Sequence, residues 1–474
     1  MICLHIGSVE IHTNIQLYKF VGHYLDIMEN TESINAAIGQ VKESVSKVLE
    51  LAKRLGADNA EVSISKQQGL SVSTRLGEVD TVEFTNDGAL GLTVYKDGRK
   101  GSASTADLSD NALKQSVQAA INIAQYTSKD PNSGLADKEL LCFEDKDLDL
   151  YHPKSLSTEQ AIDIAKESEA NALSYDSRII NSDGANFASY EGFKVYGNSH
   201  GMLSGYPSTR HSLSCMMIAG ENDDMQRDYS YTVSREFNQL VAAKQIGVEA
   251  AQAAVARLNS QKIGTQKVPV MFRADVANSI FGHFISAISG GNLYRNSSFL
   301  LDAIGKQVFS EHLQISERPH IKRGLASSSF DAEGVATQDR EFITDGVLQS
   351  YLLTSYSARK LGLTSTGNAG GIHNWQISAN GGDFDAMLKT LGTGLLVTEL
   401  MGQGVNVVNG DYSRGAAGFW VENGQIAFPV AEITIAGNLK DIFNSIVATG
   451  NDFDLRGSIK TGSVIIEEMQ VSGQ

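Results

Sequence analysis

Several short segments carry residue types that could do chemistry, and one of them is Gly197-Asn-Ser-His-Gly201. Its spacing matches the Gly-x-Ser-x-Gly elbow, in which a strand delivers a nucleophilic serine to the start of a helix. Gly205 and Pro207 follow closely, and both oppose a helix. A turn between two strands therefore explains this segment better than the nucleophile of a serine hydrolase does.

Histidines are the next candidates, because imidazole can hold a metal or move a proton. The chain has 10 histidines, and no two of them have the i, i+4 spacing of a zincin helix. His283 lies in an apolar stretch between Phe281 and Phe284, where most histidines are core or interface residues. Gly305-Lys306 is followed by Gln307, so no phosphate-binding Walker motif is present.

His373, Asn374 and Trp375 form a third group, which follows two glycines. An exposed aromatic ring beside amide and imidazole groups suits recognition of a peptide. The alternative is that Trp375, one of 2 tryptophans, belongs to the core.

Asp411 and Arg414 lie in the Gly-bounded segment Gly410-Asp-Tyr-Ser-Arg-Gly415. They could form an ion pair that staples a tight loop, which would contribute little to stability. The alternative is a contact with a groove or a partner.

Longer motifs, densest over residues 278–450, resemble the TldD/PmbA family of bacterial peptidases, most closely its PmbA (TldE) branch. The motifs are Phe281-Gly-His283, Tyr294-Arg295, Gly305-Lys306-Gln307, Thr354-Ser-Tyr-Ser-Ala-Arg-Lys-Leu-Gly362, Gly371-Ile-His-Asn-Trp375, Thr398-Glu-Leu-Met-Gly402, Gly410-Asp-Tyr-Ser-Arg-Gly415 and Ala436-Gly-Asn-Leu-Lys440. The resemblance covers most of the chain from about residue 30.

In the TldD branch a His-Glu-x-x-x-His zinc motif occupies the segment that corresponds to residues 282–287. Placed residue by residue, its first His falls on Gly282, its Glu on His283 and its second His on Ala287. A cysteine ligand near the C-terminus falls at or beside Thr461. A catalytic zinc needs about three protein ligands, an open position and a carboxylate that activates its water. The resemblance therefore implies that this chain has no catalytic residue and no metal site of its own.

The resemblance also implies a division of labour. Zinc and the general-base Glu are expected in a TldD-type metallopeptidase partner, and this chain would help to form the groove for short or unfolded peptide substrates. His373, Asn374, Trp375, Asp411 and Arg414 are the candidate groove or interface residues. A homodimer is possible in the absence of the partner. The older family name, modulator of DNA gyrase, does not imply DNA binding.

Composition agrees with this expectation. The formal net charge of −16 opposes nucleic-acid binding, which needs clustered Lys and Arg. No run of about 18 apolar residues predicts a membrane span. The 3 scattered cysteines form no disulfide framework and favour a cytoplasmic location.

The sequence predicts an α+β fold. Residues 1–27 lack periodicity, so that either Met28 is the biological start or these residues form a loosely held N-terminal extension. Residues 28–265 form an N-terminal domain in which a helix–strands–helix unit occurs twice, at about 28–130 and 155–262. Amphipathic helices near 34–55 and 109–125, a capping box at Ser157 and turn signals at Leu76-Gly77, Asn86-Asp-Gly88 and Asp97-Gly98 support this division.

Residues 266–474 are predicted to form a glycine-rich, curved antiparallel sheet. Asp345-Gly346 and Asn423-Gly424 are hairpin signals, and short helices are expected at 355–361, 384–391 and 439–447.

Two other functions remain open from the residues alone. One is a self-sufficient hydrolase that acts as a homo-oligomer. The other is a non-catalytic interaction protein.

Overall fold

The computed structural model describes residues 31–473, which divide into two compact units between Val255 and Ala256. The expected extension at residues 1–27 lies outside the described residues. Within residues 31–473, no helix has the length and apolar character needed to cross a membrane.

The N-terminal unit repeats one arrangement, a helix, three antiparallel strands and a second helix. The first copy consists of α1 (Thr31–Arg54), β1 (Asn59–Arg75), β2 (Glu78–Lys96), β3 (Arg99–Thr105) and α2 (Asp110–Tyr126). The second consists of α3 (Thr158–Leu173), β4 (Ile179–Asn198), β5 (Leu203–Glu221), β6 (Asp224–Ser234) and α4 (Ala243–Ala256). Their strands form one sheet in the order β3-β2-β1-β4-β5-β6. The predicted α+β fold with a duplicated unit is confirmed.

Two helices of this unit, α2 and α3, begin where their sequences predict. The Ser109 side chain accepts a hydrogen bond from the Ala112 amide and caps α2. Ser157 and Gln160 form the predicted capping box at α3. Each cap satisfies amides that have no partner within the helix. The apolar face of α1 joins β1 and β2 in a shared core.

The two copies meet where β1 pairs with β4. Gln68 and Glu191, which are 123 positions apart, lie opposite each other, and Gln68 Nε2 donates to Glu191 Oε1 at 2.7 Å. The residues that follow them are Gly69 and Gly192. A Cβ at either glycine would overlap the backbone of the opposite strand. The centre of the sheet therefore requires glycine in both copies.

The turns at Leu76-Gly77 and Asp97-Gly98 are confirmed, and Gly197–Gly201 lies at the turn from β4 to β5. The turn predicted at Asn86–Gly88 is wrong, because these residues continue β2 opposite Lys66–Gln68 of β1. Pairing with a long neighbouring strand outweighs the local turn preference of Asn-Asp-Gly.

The C-terminal unit contains the remaining elements. They are β7 (Gln266–Phe272), α5 (Ala274–Ala287), α6 (Gly290–Tyr294), β8 (Ile315–Glu317), β9 (Arg340–Thr344), β10 (Val347–Leu348), α7 (Ser355–Leu361), β11 (Trp375–Ile377), α8 (Phe384–Leu391), β12 (Gly394–Met401), β13 (Asp411–Glu422), β14 (Gln425–Asn438), α9 (Leu439–Asn444), β15 (Ile446–Thr449), β16 (Ile459–Lys460) and β17 (Val464–Ser472).

These strands form two sheets. One has the order β10-β9-β8-β11-β16, and the other has the order β14-β13-β12-β7-β17-β15. In the second sheet β14 also pairs with β17, so that five strands close on themselves. The pairing is antiparallel except between β7 and β12 and between β11 and β16. Helix α5 packs against β12 and β16, and its Phe281 and Phe284 are fully buried.

The hairpins at Asp345-Gly346 and Asn423-Gly424 and the helices at 355–361 and 384–391 are confirmed. The helix predicted at 439–447 is too long. It ends at Asn444, and Ile446–Thr449 forms β15 instead. Buried Ile446 and Ala448 alternate with exposed Val447, which is the period of a strand.

Candidate functional site

Helix α5 carries Gly282, His283 and Ala287, the three positions that the resemblance aligns with the zinc motif of the TldD branch. A Cβ at Gly282 would meet no atom within 4 Å, so this position adjoins open space. Ala287 lies at the other end of the motif and is completely buried in the core. His283 is half-buried between these two environments.

His283 lies against the beginning of β13. Its ring meets the Tyr412 ring edge-on, with 5.8 Å between the ring centroids. Tyr412 and Arg414 are two positions apart on this strand and therefore face the same side. Burial, and secondarily the charge of Arg414, lower the pKa of His283 to about 4. The imidazole is therefore neutral near pH 7.

Three polar atoms of this group are buried without a hydrogen-bond partner among the described residues. They are Nε2 of His283, the hydroxyl of Tyr412 and Nε of Arg414. Such atoms are uncommon, because an unpaired buried polar group costs about 1–3 kcal/mol. Burial raises the pKa of Tyr412 to about 12, so that its hydroxyl stays protonated and can donate.

Asp411 does not belong to this group, and the loop-stapling ion pair proposed for Asp411 and Arg414 is wrong. Both residues lie on β13, where an odd separation directs side chains to opposite faces. Asp411 instead accepts hydrogen bonds from Asn409 Nδ2 at 2.6 Å and Asn438 Nδ2 at 3.3 Å.

The structure places Trp375 in the core, which is the second of the two alternatives considered for it. The side chain is 0% exposed and packs against Phe342 and Phe284, with ring centroids 4.8 and 5.8 Å away. An exposed aromatic anchor at this position is therefore excluded in the structure of this chain. Phe284 connects Trp375 to the helix that carries His283.

Asn374 is also completely buried, and it has φ +47°. Its Nδ2 donates to Ser327 Oγ at 2.7 Å and to the Arg318 carbonyl at 3.1 Å. The half-buried His373 places its ring nitrogens 3.2–3.3 Å from the carbonyl oxygens of Gly367 and Ala326. These two side chains thus hold loops in place inside the unit.

Glu317, at the end of β8, accepts hydrogen bonds from several residues of this loop region. The sequence did not predict this role. The Glu317 carboxylate accepts from the His373 amide at 2.7 Å, Asn368 Nδ2 at 3.0 Å and Trp375 Nε1 at 3.2 Å. The side chain is 1% exposed, and burial raises its pKa to about 7 despite these hydrogen bonds.

Asp331 is a second buried carboxylate with a raised pKa. Burial raises the pKa of Asp331 to about 7, although the Ala369 amide donates a hydrogen bond to its side chain.

The N-terminal unit contains a separate cavity of about 340 Å³, lined by β1, β4, β5 and residues 153–156. Ser189 Oγ lies 2.9 Å from His211 Nδ1, and His211 Nε2 lies 3.2 Å from the His152 carbonyl oxygen. Since a carbonyl only accepts, Nε2 carries the proton and Nδ1 accepts from the serine. Burial lowers the pKa of His211, which keeps the ring neutral.

Comparison with known proteins decides the family. Three family models match: PmbA/TldA metallopeptidase domain 1 over residues 60–124, the central domain over 151–258 and the C-terminal domain over 265–473. The Metalloprotease PmbA of Escherichia coli O157:H7 is 57% identical over 92% of this chain and 96% of its own length. The chain belongs to the PmbA/TldD metallopeptidase family, in its PmbA branch.

Solved structures of the family have the same fold. A Bacteroides thetaiotaomicron protein described as a candidate modulator of DNA gyrase superposes with a TM-score of 0.87 at 30% identity, covering 94% of this chain and 100% of its own. TldE from Thermococcus kodakarensis superposes with a TM-score of 0.78 at 19% identity, covering 91% of this chain and 100% of its own.

The residues that the resemblance aligns with the zinc ligands of the TldD branch do not fit a zinc ion in this chain. Gly282 and Ala287 have no ligand atom, and Thr461 is fully buried with its hydroxyl donating to the Gly462 carbonyl at 2.9 Å. Arg414 places a positive charge near His283, which opposes a cation. Among the described residues, no group of three or more His, Cys, Asp and Glu side chains could hold a metal.

Sequence reasoning missed Tyr412 although it named both Asp411 and Arg414. The two-residue period of a strand predicts its position, because the side chains of residues 412 and 414 point to one face of the strand and that of residue 411 points to the other. No comparable signal marks Glu317, whose partners come from a segment more than 50 positions away in the chain.

Proposed function

We propose that this chain is the subunit without a catalytic metal in a two-component peptidase. A TldD-type partner supplies zinc and the general base, and this chain completes the peptide groove. The supporting observation is that Gly282, Ala287 and Thr461, at the positions expected for zinc ligands, offer no suitable ligand atom, while Arg414 adds a positive charge beside His283. Membership of a metallopeptidase family makes peptide cleavage the context in which such a chain acts.

We propose short or unfolded polypeptides as substrates and the cytoplasm as the location. A glycine-rich sheet lets an extended peptide approach its backbone closely, and main-chain pairing tolerates many sequences. Cys142 and Cys215 are free, buried thiols, which agrees with a reducing compartment.

The decisive experiment compares peptide cleavage by this chain alone, by a TldD-type partner alone and by the mixture. We expect cleavage of an unstructured peptide by the mixture and stable association of the two chains in size-exclusion chromatography. After dialysis, elemental analysis of this chain should give far less than one zinc per chain. Full activity of this chain alone would refute the proposal, as would one tightly held zinc that is lost in His283→Ala.

The Ser189–His211 pair favours a second candidate, a hydrolase that uses residues of this chain alone. A neutral histidine that accepts from a serine hydroxyl is the arrangement of an activated nucleophile. Two observations weigh against it. Ser189 lies in the middle of β4, paired on both sides, and the partner of His211 Nε2 is a carbonyl rather than a carboxylate.

Ser189→Ala separates the two candidates. Under the two-component proposal the mixture retains its cleavage rate, whereas a Ser–His hydrolase would lose at least about a hundredfold. A chain that neither cleaves peptide nor changes the rate of the partner would be a pure interaction protein. A homodimer in the absence of the partner would be detected in the same chromatography.

A further inference from the structure

The group formed by His283, Tyr412 and Arg414, here called the His–Tyr–Arg cluster, has a chemical character that the loss of a metal site does not explain. A degenerate site without further use would be expected to fill with apolar side chains or with paired polar groups. This cluster instead keeps three buried polar atoms without a hydrogen-bond partner among residues 31–473. One of them belongs to Tyr412, which is only 2% exposed.

The donors of the cluster match an anion. Arg414 carries a permanent positive charge and a donating Nε, and the Tyr412 hydroxyl stays protonated because burial raises its pKa. His283 can donate from Nε2 once an anion approaches. Charged hydrogen bonds from arginine to a carboxylate are among the strongest in proteins.

Two carboxylates on the strands of this sheet are engaged elsewhere. Asp411, whose side chain lies on the other face of β13, accepts from two asparagines, and Glu399 of β12 pairs with Arg257. Arg414 is also the charged group that acts on both His283 and Tyr412. The positive charge of the cluster is therefore not neutralised by these neighbours.

The cluster can be reached from outside the unit. His283 and Arg414 are both half-buried, and the position of a Cβ at Gly282 is clear of other atoms. A ligand group could therefore approach along the Gly282 side of α5 while Tyr412 closes the inner end.

We propose that the His–Tyr–Arg cluster binds a carboxylate group of a peptide, replacing the metal site of the family with an anion site. That the anion is a peptide carboxylate rests on the proposed function, whereas the anion site itself rests on the three side chains. The carboxylate can come from the C-terminus of a peptide or from an Asp or Glu side chain.

The test uses the purified full chain without any partner, so that its result is independent of the two-component proposal. Acetyl-Gly-Gly and its C-terminal amide are titrated at pH 7 by calorimetry, with the imidazole signals followed by NMR. We expect the acid to bind at least about tenfold more tightly than the amide, because only the acid offers a charged acceptor. Acetyl-Glu-amide tests the side-chain source, and binding of this compound as tight as that of the acid would assign the site to acidic side chains.

Arg414→Gln should weaken binding of the acid by at least about tenfold, and Tyr412→Phe by a smaller factor, since it removes one neutral donor. Arg178→Gln is the matched control, because it removes one positive charge from a partly exposed ion pair of the N-terminal unit and should leave the affinity for the acid unchanged. If Arg414→Gln does not fold, Arg414→Lys replaces it in the test. Lysine keeps the charge without the planar donors, so the loss of affinity for the acid should be intermediate. Equal binding of acid and amide, or unchanged affinity in Arg414→Gln, would overturn the proposal, as would binding of inorganic phosphate but not of either carboxylate.

Discussion

At the scale of single residues, side chains of the motif Gly371–Trp375 have a structural role that differs from the role their residue types suggested. Trp375 and Asn374 are buried and hold the core and loops together, although their residue types suggested peptide recognition. Residue type and spacing could predict that these positions matter. They could not predict whether these side chains are buried or exposed, because burial of Trp375 depends on Phe342 and Phe284, which are distant in sequence.

Trp375→Ala should lower the free energy of unfolding by about 3–5 kcal/mol, because it leaves a large cavity in the core. Trp375→Phe should cost less, since it keeps most of the ring packing but removes the donor to Glu317. Denaturant unfolding followed by circular dichroism measures both. Trp420→Phe, at the half-buried second tryptophan, is the control and should cost little. Normal stability of Trp375→Ala combined with lost peptide cleavage would restore the groove interpretation.

Glu317 makes stability depend on pH in a direction opposite to that of most carboxylates. Its pKa is raised from 4.5 to about 7, so the folded state holds a proton that the unfolded state has released. Stability should therefore fall as pH rises from about 4.5 to 7, by about 3 kcal/mol for this group. Asp331 has the same sign, and His283, with its lowered pKa, has the opposite sign over about pH 4–6.5.

Glu317→Gln isolates this contribution, because the other groups titrate equally in the variant and the parent. Relative to the parent, the variant should gain about 3 kcal/mol in unfolding free energy between pH 4.5 and pH 8. Glu341→Gln, which removes a carboxylate from the exposed pair with Arg318, is the matched control and should run parallel to the parent. Parallel curves for Glu317→Gln would show that the buried carboxylate does not titrate in this range.

At the scale of elements, local sequence signals were most reliable where the interactions that form the element lie within a few residues of one another. Caps, glycine turns and helical periodicity act within a few residues, and most of these predictions agree with the structure. Predictions failed where a distant partner decides the outcome. Residues 86–88 form a strand because β1 pairs with them, and residues 446–449 form a strand because β17 does. The parallel pairings of β7 with β12 and β11 with β16 likewise had no local signal.

The pairing of β1 with β4, where the two copies meet, provides a test of such a distant contact. Gly69→Ala and Gly192→Ala should each destabilise the sheet by more than about 1 kcal/mol, because the added methyl group meets backbone atoms that cannot move independently. Gly88→Ala is the matched control in the same sheet, since its methyl group would lie at an ordinary contact distance of 3.4 Å from the Ser65 carbonyl oxygen. Thermal unfolding of the three variants gives the comparison. Equal effects at Gly88 and Gly192 would mean that strand propensity, rather than close approach, determines the cost.

At the scale of the whole molecule, the chain contains separate cores. One large core consists entirely of residues between Ile263 and Val471, and another consists of residues between Ile34 and Val195. The His–Tyr–Arg cluster belongs to the C-terminal unit and the Ser189–His211 cavity to the N-terminal unit. The two candidate functions can therefore be tested independently.

This division predicts two transitions in differential scanning calorimetry of the full chain, because each unit has its own core and can unfold as a cooperative element. Gly192→Ala should lower the temperature of one transition, and Trp375→Ala should lower the other. For units of this size, a loss of about 3 kcal/mol corresponds to a shift of roughly 6–12 °C. The two variants serve as controls for each other, since each should leave the transition of the other unit unchanged. A single transition shifted by both variants would show instead that the two cores unfold together. A substitution in one unit would then lower the stability of the other unit as well.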